Sequence, residues 1–149
     1  MNTSEKTDME HIKVLIVEPG QYPRRAEIAN SLPEMKTIVG GYIESVHPWE
    51  DAALIICNEE GLVNGLPLNR LVFELGEPIA GAFFICGVDG DNFVSLSEKQ
   101  LQHYEKSFHY PEIINVTSIG YLVTSCEPQL YAAYMEQLTA DPPIEPMAP

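Results

Sequence analysis

Apolar and β-branched residues predict several strands along the chain. Residues 11–17 are apolar on both faces and end at a proline and glycine turn, which is typical of a central strand. Residues 42–46 alternate between apolar and polar positions and residues 52–57 are apolar, so we expect them to form a β-hairpin. Residues 79–88 are the longest strand candidate, whereas the type of residues 68–73 stays open.

Helical spacing occurs in three places. A first helix opens either at Pro23 or at a capping box over residues 31–34, and Gly40 with Gly41 should end it. A second capping box, over residues 95–98, precedes apolar residues at helical spacing. A last helix opens near Pro128, and its apolar face comprises Leu130, Tyr131, Tyr134, Met135 and Leu138. Between these two helices, residues 113–123 fit either a strand or an extended arm.

The order of these elements predicts an α+β protein. We expect a mainly antiparallel sheet with helices packed on one face, followed by a C-terminal helical extension. The length of 149 residues suits one domain with a proper hydrophobic core. We divide the chain into a disordered N-terminus (1–10), an α+β core (11–109), an extension that contains a helix (110–140) and a disordered tail (141–149).

The charge of the chain is strongly negative because bases are scarce. It has 22 acidic residues and only 8 Lys and Arg, which gives a formal net charge of -14. Proteins that bind nucleic acid directly use Lys and Arg stripes to hold the phosphates, so this class is excluded. The acids are scattered, which indicates a well-solvated surface, although a DNA-mimicking arrangement stays open until the fold is known.

Cysteine use and hydropathy favour a cytoplasmic protein with no membrane association. The first ten residues are polar and contain no secretory signal, and no apolar stretch is long enough to cross a bilayer. Cys57, Cys86 and Cys126 are odd in number and far apart, so we expect reduced and mostly buried thiols.

No catalytic motif is found. The chain has no metal-binding pattern, no phosphate-cradling loop and no nucleophile elbow, so we predict no catalytic residues, no metal and no cofactor. Cys57 and His47 could meet across the hairpin, but a nucleophilic thiol needs an electropositive setting that this chain hardly supplies. We therefore expect a protein that is not an enzyme.

Residues 58–70 contain the best candidate for a binding site. Arg70 is the only Lys or Arg between Lys36 and Lys99. Its guanidinium either forms an ion pair with a residue such as Glu44 or Glu74, or presents its planar fork to an anionic ligand. The ligand-binding site that follows from the second alternative comprises Tyr42, Glu44, Asn64, Asn69 and Arg70.

Several segments resemble a known family. They are residues 12–20 (IKVLIVEPG), 40–44 (GGYIE), 58–61 (NEEG), 64–70 (NGLPLNR) and 79–85 (IAGAFFI). In order and spacing they resemble the small proteins of phages and mobile elements catalogued as domain of unknown function 3846. The resemblance covers residues 11 to 108 and brings no catalytic residues with it.

The resemblance implies a setting in the cytosol of a host cell. There we expect a non-enzymatic, phage-type binding protein that antagonises a host defence process by sequestering a small nucleotide-like signal. The alternative is an acidic, possibly DNA-mimic-like inhibitor that binds a basic host protein. The last helix could also serve as a self-association surface, so a homo-oligomer is a further possibility.

Overall fold

A computed structural model describes residues 10–139. The disorder expected of the chain ends falls outside the described residues, apart from Glu10, whose carbonyl oxygen accepts a hydrogen bond from the Asn30 amide at 2.9 Å. The elements, in chain order, are β1 (His11–Val17), β2 (Arg24–Ala29), α1 (Leu32–Val39), β3 (Ile43–Val46), β4 (Ala53–Asn58), β5 (Leu68–Val72), a 3-10 helix (Phe73–Leu75), β6 (Glu77–Ala80), β7 (Phe83–Asp89), β8 (Asn92–Val94), α2 (Glu98–Ser107), β9 (Glu112–Thr117), β10 (Gly120–Ser125) and α3 (Pro128–Thr139).

Six strands form the main sheet. Its order is β2-β1-β7-β4-β3, with β8 paired to β7, and every pair is antiparallel. The hairpins β5–β6 and β9–β10 are separate two-stranded sheets. The α+β class and the mainly antiparallel sheet are therefore confirmed.

The two helices of the core cover opposite faces of this sheet. Met35 and Val39 of α1 pack on one face with side chains such as Ile16, whereas Leu101 and Tyr104 of α2 pack on the other. The expectation that helices share one face is thus wrong. The physical reason is that β4 is buried along its whole length and β1 nearly so, which leaves two apolar faces to be covered.

The first helix begins after Ser31, which is its N-cap. The Ser31 hydroxyl accepts a hydrogen bond from the Glu34 amide at 3.4 Å, and Gly40 ends α1 in the left-handed conformation with a φ of 79°. A helix from Pro23 is wrong, because Arg24–Ala29 pairs with β1 as an edge strand. Three of its six residues are charged and Ile28 is its one large apolar residue, so the sequence alone does not indicate a strand.

Two further boundaries differ from the sequence pattern. The apolar stretch 79–88 is divided at Gly81, whose φ is +82°, so β6 turns away to pair with β5 and β7 enters the main sheet. The cap of α2 is Ser97 with Gln100 rather than Ser95 with Glu98. The Ser95 hydroxyl instead accepts a hydrogen bond from the amide of Lys13 at 2.8 Å.

The C-terminal extension packs on the core through α3, which confirms the predicted last helix. Residues 113–123, left open above, form most of the β9–β10 hairpin, with β9 lying against β5. Tyr131 of α3 lies over Gly20, where a Cβ atom would overlap its ring. None of the described helices has both the length and the hydropathy needed to cross a membrane.

Candidate functional site

Arg70, the centre of the predicted ligand site, is fully buried. Its side chain donates to the carbonyl oxygen of Gln21 at 2.7 Å and, through Nε and Nη2, to that of Phe108 at 3.2 and 3.0 Å. Nη1 donates to Oδ1 of Asn69 at 2.9 Å. These contacts occupy the guanidinium with acceptors of the chain itself.

The electrostatics of Arg70 are those of an interior group. Desolvation by burial lowers its pKa to about 10, and the charge of Glu112 opposes this shift. Glu112 is thus the carboxylate that acts most strongly on Arg70, rather than Glu44 or Glu74. The Glu112 side chain also accepts a hydrogen bond from the amide of Leu71 at 2.7 Å, so it holds β5 as well.

Asn69 is equally buried and fastens the β5–β6 hairpin to the main sheet. Its Nδ2 donates to the carbonyl oxygens of Val17 and Gly81, both at 2.9 Å. Because both carbonyls come from other parts of the chain, the Asn69 amide fixes where the hairpin lies.

The other predicted site residues lie on the surface. Tyr42 is 66% exposed, and the ammonium of Lys36 is 4.6 Å from the centre of its ring. Asn64 is exposed in the loop between β4 and β5. Glu44 alone among the five predicted residues lines the cleft described next, so the structure does not gather them into one pocket.

This cleft lies between β3 and β4 on one side and β6 on the other. It encloses about 210 Å³. Its floor is apolar, with side chains such as Val46, Leu75 and Ile79. Three carboxylates line it: those of Glu44, Glu59 and Glu77. We call this feature the acidic cleft.

Asn58 builds the wall of the acidic cleft. Its side chain is buried, donates to the carbonyl oxygen of Val39 at 3.1 Å and accepts a hydrogen bond from the amide of Glu60 at 2.8 Å. Gly61 then passes so close to β6 that a Cβ atom would lie 2.6 Å from the carbonyl oxygen of Ala80. The loop after β4 is therefore held against β6, and the two together close one side of the cleft.

Among the described residues that line the acidic cleft there is no Lys or Arg. From residue 37 to residue 98 the only such residue is Arg70, which is buried. Two exposed apolar side chains also line it: Leu62 is 59% exposed and Val63 84%. The lining of the cleft thus combines apolar surface with three carboxylates and no Lys or Arg.

Cys57 lies in this cleft but is not an activated nucleophile. Burial and, to a smaller extent, the charge of Glu44 raise the pKa of its thiol to about 11. At neutral pH the group is therefore a thiol and acts as part of the apolar floor. All three cysteines of the chain are buried and outside any disulfide.

A second, more open cleft is lined with aromatic rings. Tyr22 and His109 stack with their ring centres 4.7 Å apart, and Tyr110 meets His109 edge-on at 4.6 Å. The cleft encloses about 650 Å³, and Lys106 is the one base among its lining residues. No sequence pattern predicts this cleft, because Tyr22 and His109 lie far apart along the chain.

Asp51 and Tyr104 form a polar contact at the mouth of a third cleft. The Tyr104 hydroxyl donates to Oδ2 of Asp51 at 2.7 Å, and this bond is the main cause of the lowered pKa of Asp51. Within the described part of the chain, no group of three or more His, Cys, Asp and Glu side chains is placed to hold a metal ion.

Comparison with known proteins places the chain in one family. No curated protein and no solved structure matches it. The family described as "Domain of unknown function (DUF3846)" matches residues 12–109, which is well over half of the chain. These residues contain the main sheet, α1, α2 and the acidic cleft, whereas the β9–β10 hairpin and α3 lie beyond them. The chain belongs to the DUF3846 family.

Proposed function

We propose that this chain acts by binding rather than by catalysis, and that its acidic cleft takes a basic, partly apolar segment of a protein partner. The observation that carries the proposal is the carboxylate rim over an apolar floor, with no exposed Lys or Arg from residue 37 to residue 98. Uncompensated charge of one sign favours a partner of the other sign and speeds its approach.

The chemistry of the partner follows from both halves of the cleft. Lys and Arg side chains can lay their methylene stems on apolar surface while their charged ends reach carboxylates. An apolar neighbour in the same segment would meet Leu62 or Val63, which are exposed and line the cleft. In addition, β3 is an edge strand of the main sheet, so an extended segment could pair with its backbone.

The biological setting of this proposal rests on the resemblance to proteins of phages and mobile elements. In that setting the partner is a basic protein of the host, and occupation of its basic segment inhibits a host process such as defence. The site of action is then the host cytosol. This is the acidic inhibitor of the two functions expected from the sequence.

A charge-matched pair of variants tests the acidic cleft. The probe is a labelled synthetic peptide of alternating Lys and Leu, titrated with the full chain and followed by fluorescence anisotropy. We expect Glu59→Gln with Glu77→Gln to weaken binding by about three- to tenfold, because each removes an exposed charge pair. Asp89→Asn with Asp91→Asn, in the β7–β8 turn, removes the same charge and should leave binding within twofold of the unaltered chain.

The same titration has outcomes that reject the proposal. Equal losses in both double variants would mean that overall charge, not the acidic cleft, attracts the peptide. If a Glu and Leu peptide of the same length binds as tightly as the Lys and Leu peptide, charge does not select the partner and the proposal is rejected. Binding should also weaken with added salt, because the attraction is between exposed charges.

Capture of a nucleotide-like signal is a second candidate function. The cleft lined by Tyr22, His109 and Tyr110 supports it better than the buried Arg70 does. Stacked rings beside Lys106 suit a base and a phosphate, respectively. Calorimetry with cyclic dinucleotides and ADP-ribose separates the two functions. A heat of binding that is lost in Tyr110→Ala but kept in the Glu59→Gln and Glu77→Gln double variant would support this candidate. If none of these probes gives a heat of binding, the candidate is rejected.

A further inference from the structure

The β9–β10 hairpin differs in charge from the rest of the chain. Residues 113–126 contain no Asp, Glu, Lys, Arg or His, although the chain as a whole has a net charge of -14. The hairpin also lies outside the family match at residues 12–109. It is therefore a neutral surface added to an acidic core.

Apolar side chains of this hairpin face solvent. Val116 is 70% exposed, and its cross-strand partner Tyr121 is 43% exposed. Leu122 is 60% exposed, and Ile119, in the turn between the strands, is 97% exposed. Single exposed apolar residues are common, but this short hairpin exposes four: Val116 and its partner Tyr121 on one face, Leu122 on the other face and Ile119 in the turn. Such a concentration is typical of an interaction surface.

The outer strand of the hairpin also has an open edge. β9 and β10 pair only with each other in a two-stranded sheet, and β9 lies against β5. This leaves β10, Gly120–Ser125, as the outward strand. An uncharged, apolar edge strand presents unpaired backbone groups to any other strand that can approach it.

We propose that the partner of this surface is a second copy of the same chain. Its β10 pairs antiparallel with β10 of the first copy across a two-fold axis, so that the two hairpins form one four-stranded sheet. Such an isologous contact uses the same patch on both copies and closes after two. Val116, Ile119, Tyr121 and Leu122 lie in or beside this interface.

Charge selects a second copy over other occupants. Two chains of net charge -14 repel each other, and a contact through residues 113–126 brings no charged side chain of this segment against its copy. A basic partner would find no carboxylate to bind on residues 113–126, whereas the acidic cleft offers three. The dimer is thus independent of the function proposed for the cleft.

The test is the molar mass of the full chain, measured by light scattering over a wide range of concentrations. We expect the mass to rise from 16.6 kDa to twice that value, and at lower concentrations when salt screens the repulsion. Leu122→Lys should raise the dimer dissociation constant at least tenfold, and Ile119→Lys should do the same. Leu32→Lys, at a residue of α1 that is 55% exposed, makes the same charge change and should leave the dimer intact.

Several results would overturn the proposal. They are a monomer at every concentration, a dimer that Leu122→Lys and Ile119→Lys leave unchanged, or an equal loss of dimer in Leu32→Lys. Binding of the unaltered chain to vesicles of neutral phosphatidylcholine, lost in Ile119→Lys, would assign the hairpin to a membrane instead. If circular dichroism shows that Leu122→Lys is unfolded, the molar masses of the unaltered chain and of Ile119→Lys still test the dimer.

Discussion

Arg70 joins three separated parts of the chain inside the protein. Its guanidinium is buried away from solvent. It donates to the carbonyl oxygens of Gln21, after β1, and Phe108, at the end of α2. The carbonyls at a helix C-terminus carry partial negative charge, so the end of α2 suits a buried cation. Hydrogen bonds from a charged donor are stronger than neutral ones, and here they help to offset the desolvation of the group.

Replacing Arg70 should therefore affect stability more than binding. Arg70→Lys keeps the charge but cannot reach acceptors on both sides, so we expect the free energy of unfolding to fall by about 2–4 kcal/mol. Chemical denaturation measures this loss. Arg24→Lys is the control, because Arg24 forms an exposed ion pair with Glu18 at 3.2 Å and its replacement should cost less than about 1 kcal/mol.

The opposite result would restore the ligand-binding role of Arg70. In that case Arg70→Lys would keep the stability of the unaltered chain and would lose heat of binding with a nucleotide probe. Such an outcome requires the side chain to leave Gln21 and Phe108 when the ligand arrives.

Among the elements, α3 approaches the rest of the chain closely at Gly20. Gly20 has a φ of +76°, and the ring of Tyr131 occupies the space where a Cβ atom would stand. Two physical requirements therefore coincide at Gly20: a left-handed backbone and room for an aromatic ring. The second of these positions the extension on the part of the chain that matches the family.

Two alanine substitutions separate these requirements. Gly90→Ala also introduces a left-handed alanine, with φ at +61°, but into open space, so it should cost only about 1–2 kcal/mol of unfolding free energy. Gly20→Ala should cost at least about 1 kcal/mol more, because the Tyr131 ring must move. Urea denaturation measures both, and adding Tyr131→Ala to each variant should remove the difference between them. An equal cost in both glycine variants would mean that Tyr131 does not pack on Gly20.

The hydrophobic pattern predicts those elements in which the buried residues recur with the period of a strand or of a helix. The β3–β4 hairpin and α2 are of this kind, since each has apolar residues at strand or helical spacing. β2 was not predicted because only Ala26 and Ile28 of this edge strand pack on the core, and two apolar positions do not distinguish a strand from a helix. Its strand character comes from pairing with β1, which local sequence does not encode.

The candidate site was harder to predict than the fold for the same reason. An isolated Arg70 in the sequence indicates that some acceptor exists, but the acceptors are main-chain carbonyls 38 and 49 residues away. The acidic cleft likewise forms from Glu44, Glu59 and Glu77, which the fold brings together from three elements or loops. Of these three, only Glu44 belongs to the predicted site, where it is also a candidate ion-pair partner of Arg70.

At the scale of the whole molecule, negative charge acts against both folding and association. The described residues contain few ion pairs to offset it: Arg24 binds Glu18, and Arg25 binds both Glu98 and Glu105 at 2.8 Å. All three pairs are exposed, so each contributes little. The net charge of -14 therefore enters the stability chiefly as repulsion among carboxylates, which added salt screens.

The free energy of unfolding should accordingly rise with ionic strength. We expect a gain of about 1 kcal/mol in urea denaturation when sodium chloride is raised from low to physiological concentration, because the folded chain confines the like charges more closely than the unfolded one. Arg25→Gln is the internal control: without its two ion pairs, the chain should gain slightly more from salt than the unaltered chain does. The same salt should weaken the binding of the Lys and Leu peptide to the acidic cleft and strengthen the proposed dimer. Of the three quantities, two should therefore rise with salt and one should fall. A fall in the free energy of unfolding with added salt would mean that the attraction in the ion pairs of Arg24 and Arg25 outweighs the repulsion among the carboxylates. The net charge would then not be the main electrostatic effect on stability.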